Sequence, residues 1–182
     1  PNSARAAAMV LTPSTMLPLG TALPAFTLEQ IWGAQGAVGI GDSGEPWRTN
    51  TLTAQPVLVL FLCAHCPFVK HIEPELSRLE CDYGNQIQIV AISSNSTITH
   101  PQDGPEGLRE QAARNSWRFP YLFDASQAVA KAFHAACTPD LYLFDGAHHL
   151  AYRGQLDDSR PGNAEPLDGR TLRAALDALL AG

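Results

Sequence analysis

The chain has 182 residues, enough for one domain with a short extension, and its 45 % hydrophobic content can fill a core of ordinary size. The net charge is −6 and the Lys and Arg residues do not cluster, which argues against a phosphate-binding surface and so against nucleic acid as a partner. No stretch reaches the roughly 18 apolar residues of a membrane span, and four cysteines are too few for a disulfide scaffold of this length.

The first residues, PNSARAAAMVLTPSTMLPLG, lack the apolar run of a secretory signal. Met9 reads as a natural start, residues 1–8 as an expression remnant or, alternatively, the rest of a processed leader, and residues 1–19 as an N-terminal extension to a domain spanning 20–182. Absence of a signal favours a reducing cytosol as the expected compartment, where cysteines close in sequence are more often catalytic or metal-binding than structural. Residues 9–25, rich in Pro, Thr and Gly, should wrap the surface. Residues 26–53, with the glycines of GAQGAVGIGDSGEPW, read as a hairpin or loops.

The stronger pattern starts at Pro56. PVLVLFLC is an apolar, β-branched run of strand length, as a strand buried on both faces should be. PFVKHIEPELSRLECDYG follows, with Phe68, Ile72, Leu76 and Leu79 at helical spacing and Gly84 as the stop. IQIVAIS is a second buried strand, PEGLREQAARNSW a helix, and FPYLFD an extended segment. SQAVAKAFH is a short helix with Ser126 as its expected N-cap. LYLFD and HLAYRG are two strands joined by a turn at Gly146, and DGRTLRAALDALLAG is a closing amphipathic helix. Strands alternating with helices give a parallel βαβ core, and the tightly linked last pair must be antiparallel. The expected fold is therefore α/β, a mixed central sheet with helices on both faces.

The chemistry concentrates in FLCAHCPFVKH, residues 61–71. Pro67 has no N–H and a fixed φ, which suits the first position of a helix. That puts Cys66 at the N-cap, where free backbone N–H groups and the positive helix end stabilise a thiolate. Cys63 sits at the strand end and receives less of that field. A strand-to-helix CxxC in this context is a redox signature. Two buried structural cysteines are the plainer reading, and a structural zinc site needs four ligands where only one such pair exists.

The order of elements, with FLCAHCPFVKHIEPEL, VAISSN, FPYLFD, CTPDLYLFD and YRGQLDDSRPGN, resembles the thioredoxin fold. More closely, it is similar to the peroxiredoxin-like branch of the redoxin (AhpC/TSA-like) group, over about residues 20–182. The resemblance implies a thiol:disulfide oxidoreductase without a cofactor or bound metal. In such proteins an aromatic residue of the core strand precedes the attacking cysteine by about five positions. Phe61 stands five before Cys66 and two before Cys63, so Cys66 is favoured as nucleophile and Cys63 as the resolving partner. The ordinary thioredoxin polarity, with Cys63 attacking, is the alternative. The peroxidatic pattern P-x-x-x-(T/S)-x-x-C is broken here by Val59 and Cys63. The missing hydroxyl weighs against peroxidase and antioxidant activity and for disulfide exchange, which needs only two sulfurs in reach and a good leaving group.

The resemblance also implies a cis-proline at Pro139 facing the cysteines, with Thr138 giving substrate its backbone contacts. A trans-proline is the commoner state in general. Cys137, two before Pro139, is a third thiol near the site or a packed loop cysteine. Cys81 lies 15 positions along the helix from Cys66, about 20 Å away, and is set aside. His65 is expected to tune the neighbouring thiolate. Lys70 could add positive potential, although a solvated lysine is the default. His71 is expected on the surface, and His134, His148 and His149 in loops or turns. In GQLDDSRPGN, residues 154–163, Asp157, Asp158 and Arg160 are expected to form a local ion-pair turn; a substrate-facing role is the sharper possibility.

The sequence reading is thus Cys66 and Cys63 as the reacting pair, with Thr138, Pro139, His65, Pro67 and Cys137 facing the substrate. The expected partners are a disulfide-bearing protein or a small thiol or disulfide, and an external thiol reductant, acting on a monomer or homodimer. The rival is a copper-binding module like the Sco-type proteins, whose CPxxxxxxPEL segment this chain resembles, using Cys63, Cys66 and Cys137 or a histidine.

Overall fold

In the computed structural model, residues 16–37 and 46–182 are described. The expected remnant 1–8, the start at Met9 and the central part of the glycine-rich loop lie outside them. The chain begins with a hairpin, β1 (Thr27–Gly33) and β2 (Gly36–Ala37), and β3 (Trp47–Arg48) also pairs with β1. The alternating core follows: β4 (Val57–Phe61), α1 (Pro67–Tyr83), β5 (Gln88–Ser93), α2 (Pro105–Arg114), β6 (Tyr121–Phe123) and α3 (Ala128–Ala132). The hairpin β7 (Asp140–Phe144) and β8 (Leu150–Gly154) and the helix α4 (Arg170–Ala181) close the fold.

The strand order is β2-β1-β6-β5-β4-β7-β8. β4, β5 and β6 run parallel, and β7, β8 and β1 run antiparallel to their neighbours. This is the expected mixed sheet, widened by β1, which docks beside β6.

Every residue of β4 is buried, because period-two alternation sends its side chains into two separate layers. Leu58 and Leu60 join Ile72 and Leu76 of α1, Leu108 of α2 and Leu172 of α4. Val57, Val59 and Phe61 join Val129 of α3, Phe133 and Leu17 on the other side. Helices therefore cover both faces, with the second face completed by the N-terminal segment. Each fully buried Leu or Phe here contributes roughly 1.5–3 kcal/mol. Residues 16–25 run along the outer hairpin, where Gly20 N–H donates to the Leu150 carbonyl and Ala22 bridges His149.

Two local expectations need correction. Ser126 is not the N-cap residue of α3, although its Oγ accepts the Ala128 N–H at 3.2 Å. The residue before the helix is Gln127, in the left-handed region at φ 60°. Asp124 completes the capping from further back: its Oδ2 accepts the N–H groups of Val129 and Ala130 at 3.1 and 3.0 Å. The buried stripe of α1 starts at Val69 rather than Phe68, and it carries two buried carboxylates, Glu73 and Glu75. Glu73 accepts from Gln111 and Arg114 of α2. Glu75 accepts from Arg78 and from Arg173 of α4. The pairs with Gln111, Arg114 and Arg173 fasten α1 to α2 and α4.

Candidate active site

The buried β4 delivers Cys63 to its end with no exposed surface, and the chain then turns through Ala64 and His65 into α1. Cys66 is the N-cap and Pro67 the first helical residue, as the sequence predicts. The Cys66 thiol is lowered to about 5. Its largest cause is a hydrogen bond from Cys63, opposed by burial and reinforced by the backbone N–H groups of Val69 and Phe68 and by Thr138. The same hydrogen bond, with burial, pushes the Cys63 thiol far up. One sulfur is thus an anion at neutral pH and the other a proton donor to it.

The loop before β7 closes over this pair. Thr138 Oγ1 lies 3.0 Å from Cys63 Sγ, and the Thr138 carbonyl lies 3.4 Å from Cys66 Sγ. The Thr138–Pro139 peptide bond is cis. Cys137 is exposed next to it, its thiol raised by partial burial and by the charge of Asp140. Cys81 is exposed on the outer part of α1.

Asp103, which the sequence reading missed, is the keystone of the cysteine loop. It ends a short 3-10 turn, Pro101–Asp103, and is fully buried. Its Oδ1 accepts the backbone N–H groups of Ala64 and His65 at 2.8 and 3.0 Å. Its Oδ2 meets His65 Nδ1 at 2.5 Å and accepts from Asn95 Nδ2 at 2.9 Å. His65 in turn stacks on His100, with ring centroids 3.8 Å apart. Behind the loop, buried Gln111 donates to the Cys63 carbonyl at 3.1 Å and accepts from Tyr121 Oη at 3.0 Å. Ligand atoms of Cys63, His65 and Asp103 lie within 4.8 Å of one another, the one such group among the described residues.

A cavity of about 310 Å³ opens beside the cis-proline, lined by Phe68, His71, Cys137, Pro139, Leu156 and Arg160 among others. His71 is not simply a surface residue. Its Nε2 lies 2.9 Å from Ser159 Oγ, and that hydroxyl donates to Asp157 Oδ1 at 2.6 Å, so Nε2 carries the proton. The expected ion-pair turn is absent from residues 154–163. Asp157 is buried and accepts from Ser159, Asp168 and Gly169 instead. Arg160 donates to the carbonyls of Asp157 and Ser159 and to Gln155. Backbone donors outcompete the guanidinium because they sit at fixed positions around a buried carboxylate. Lys70 is exposed, in a shallow depression with Glu73, Gln102 and Arg114.

The structure therefore gathers Cys63, His65, Cys66, Pro67, Thr138, Pro139 and Cys137 at one end of the sheet. It adds Asp103, Asn95, His100 and Gln111. The only sequence signal for Asp103 is the turn chemistry of HPQDGP before α2.

Comparison with known proteins bears on this arrangement. Residues 19–153 match the AhpC/TSA family. The chain is 24 % identical to the thiol-disulfide oxidoreductase YkuV of Bacillus subtilis (strain 168), over 71 % of this chain and 80 % of that protein. An uncharacterized conserved protein from Geobacillus kaustophilus has a crystal structure similar at TM-score 0.83, with 44 % identity, covering 93 % of this chain and 85 % of that one. The thioredoxin domain of thiol-disulfide oxidoreductase BVU-2223 from Bacteroides vulgatus is similar at TM-score 0.63 and 15 % identity, covering 87 % of this chain and 97 % of that one. That last likeness speaks to the fold, which is thioredoxin-like.

Proposed function

The chain belongs to the AhpC/TSA family, and from that premise we propose that it is a thiol-disulfide oxidoreductase in which Cys66 attacks and Cys63 resolves. The observation that carries this reading is the helix-start position of Cys66, where its thiol is lowered to about 5 beside the buried Cys63. At neutral pH the Cys66 thiolate attacks one sulfur of a substrate disulfide. A mixed disulfide forms and the other substrate sulfur leaves as a thiolate. Cys63 then attacks Cys66 Sγ, the Cys63–Cys66 bond forms, and the second substrate thiol departs. An external thiol returns the pair to the dithiol, with no cofactor required. The cytosol fits this reading, because it supplies that reductant.

Substrate lies across Cys66, Pro67 and the Thr138–Pro139 loop, with His65 and Cys137 at its borders. The likeness to a protein named as a thiol-disulfide oxidoreductase, YkuV, supports disulfide exchange over peroxide reduction. A hydroperoxide would be a slower substrate, because Cys63 stands where the peroxidatic pattern needs a hydroxyl. The test is a steady-state assay with a small aromatic disulfide and with hydrogen peroxide, each with dithiothreitol as reductant. The reading expects faster turnover of the disulfide and loss of at least a hundredfold in Cys66→Ser. Equal activity of Cys66→Ser and wild type would remove it.

A second reading is favoured by one observation, the ligand atoms of Cys63, His65 and Asp103 within 4.8 Å of one another. With Cys66 beside them, the two sulfurs and the imidazole are donors that suit a soft cation such as Cu(I), whereas the Asp103 carboxylate is a hard one. Tight binding of one Cu(I) by the reduced protein, with no disulfide turnover, would favour this reading over the first.

A further inference from the structure

The polar loop GQLDDSRPGN, residues 154–163, takes no part in the sulfur chemistry, yet it supplies much of the lining of the cavity beside the cis-proline. Phe68 and Ile72 of α1, with Pro139, Leu141 and Leu156, give that cavity its apolar surface. Its volume of about 310 Å³ lies at the lower end of small-molecule sites, roughly 300–1,000 Å³. It adjoins the attacking sulfur through Thr138, which lines it and whose carbonyl lies 3.4 Å from Cys66 Sγ.

Arg160 stands in the same lining and is exposed. A guanidinium has five N–H donors in a fixed fork. Three of those on Arg160 go to the Asp157 and Ser159 carbonyls and to Gln155 Oε1, at 2.8, 2.6 and 2.9 Å. These acceptors are neutral, so they hold the group in place without compensating its charge. Two donors remain without an acceptor among the described residues.

The carboxylates of this region are committed elsewhere. Asp157 accepts from the Ser159 hydroxyl and from the backbone N–H groups of Ser159, Asp168 and Gly169. Asp158, Glu165 and Asp168 lie 3.8, 3.1 and 3.6 Å from the Arg170 guanidinium. In a chain of net charge −6, Arg160 is thus a cation held beside an apolar cavity with two donors to spare.

Resting on the oxidoreductase reading, we propose that this cavity selects small disulfides whose reacting half carries an apolar or aromatic body and a carboxylate. The body packs on Phe68, Ile72 and Leu156, and Arg160 binds the carboxylate through its two remaining donors. A cavity of this size takes one ring, and one guanidinium reads one acid, so the occupant is a small molecule. Bond making and breaking follow the exchange at Cys66 and Cys63 already described; the cavity sets which disulfide is positioned for it.

The test compares two aromatic disulfides by rapid mixing with the reduced protein. Dithiobis(nitrobenzoate) carries a ring and a carboxylate on each half, and dithiodipyridine carries the ring alone. The rate of adduct formation at Cys66 is read with Cys66→Ser as the blank for the other cysteines. In Arg160→Gln the rate with the acidic probe should fall at least about fivefold more than the rate with the neutral one. Arg160→Lys keeps the charge and loses the fork, and should lie between Arg160→Gln and wild type. Two measurements on the wild type need no variant to fold. Added salt should slow the acidic probe, whereas the net negative charge acting alone would make salt speed it. Benzoate should compete with the neutral probe better than acetate or benzamide does. Equal losses with both probes in Arg160→Gln, acceleration of the acidic probe by salt, or competition by benzoate no better than by acetate overturns the proposal and leaves the oxidoreductase reading standing. No Cys66 adduct with either probe in the wild type would remove that reading itself, and this proposal with it.

Discussion

Cys63 Sγ and Thr138 Oγ1 lie 3.0 Å apart, although the residues are 75 positions apart in the chain. Thr138 also touches Cys66, through its carbonyl at 3.4 Å. One threonine thus lies against both sulfurs, its hydroxyl at Cys63 and its carbonyl beside Cys66. Thr138→Val keeps the shape and removes the hydroxyl. A hydrogen bond to a charged group is worth about 1.5–3 kcal/mol, so closure of the disulfide should slow by roughly tenfold or more. Quenched-flow mass analysis of the Cys66 adduct reads this directly. An unchanged closure rate would show that the hydroxyl does not support the Cys63 thiolate.

The Cys66 thiol, lowered to about 5, sets a pH dependence. The thiolate is present above that value and is lost as pH falls through it. Alkylation of Cys66 by iodoacetamide should therefore rise with a midpoint near 5, well below the ordinary cysteine value of about 8.5. Cys63→Ala removes the largest cause of the shift and should move the midpoint upward. A wild-type midpoint above 8 would contradict a Cys66 thiolate at neutral pH.

The start of α4 makes a stability prediction. Gly169 has φ +65°, and an added Cβ would come within 2.6 Å of Glu75 Oε1. Gly169→Ala should cost about 1–2 kcal/mol for the left-handed backbone, plus the displacement of a buried carboxylate that also binds Arg173. Gly162, at φ +87° with nothing near its Cβ position, isolates the backbone part. Urea denaturation should show Gly169→Ala less stable than Gly162→Ala. Equal losses would mean that Glu75 yields without cost.

Much of this was legible in the sequence because it follows from short-range rules. The buried run 57–63, the Pro67 helix start and the Cys66 N-cap each follow from adjacent residues. Thr138 and Pro139 were found through resemblance rather than spacing. Asp103 was missed because its role depends on folding the loop after β5 back over the cysteines, which no periodicity records. Ser126 stands one position before the N-cap and accepts only the Ala128 N–H, because Asp124 reaches further along the chain to the next two donors of α3. His71 and residues 154–163 were misread for a related reason. A buried Asp157 collects backbone donors from Gly169 as well as its own loop, and that convergence is tertiary.

The central claim is the polarity of the pair, with Cys66 attacking and Cys63 resolving. The most direct measurement is thiol trapping with mass spectrometry on Cys63→Ser and Cys66→Ser, after brief exposure to a small disulfide. The account predicts a stable adduct on Cys66 in Cys63→Ser, none on Cys63 in Cys66→Ser, and an internal Cys63–Cys66 bond in wild type. A rapid adduct on Cys63 in Cys66→Ser, with an inert Cys66 in Cys63→Ser, would contradict it.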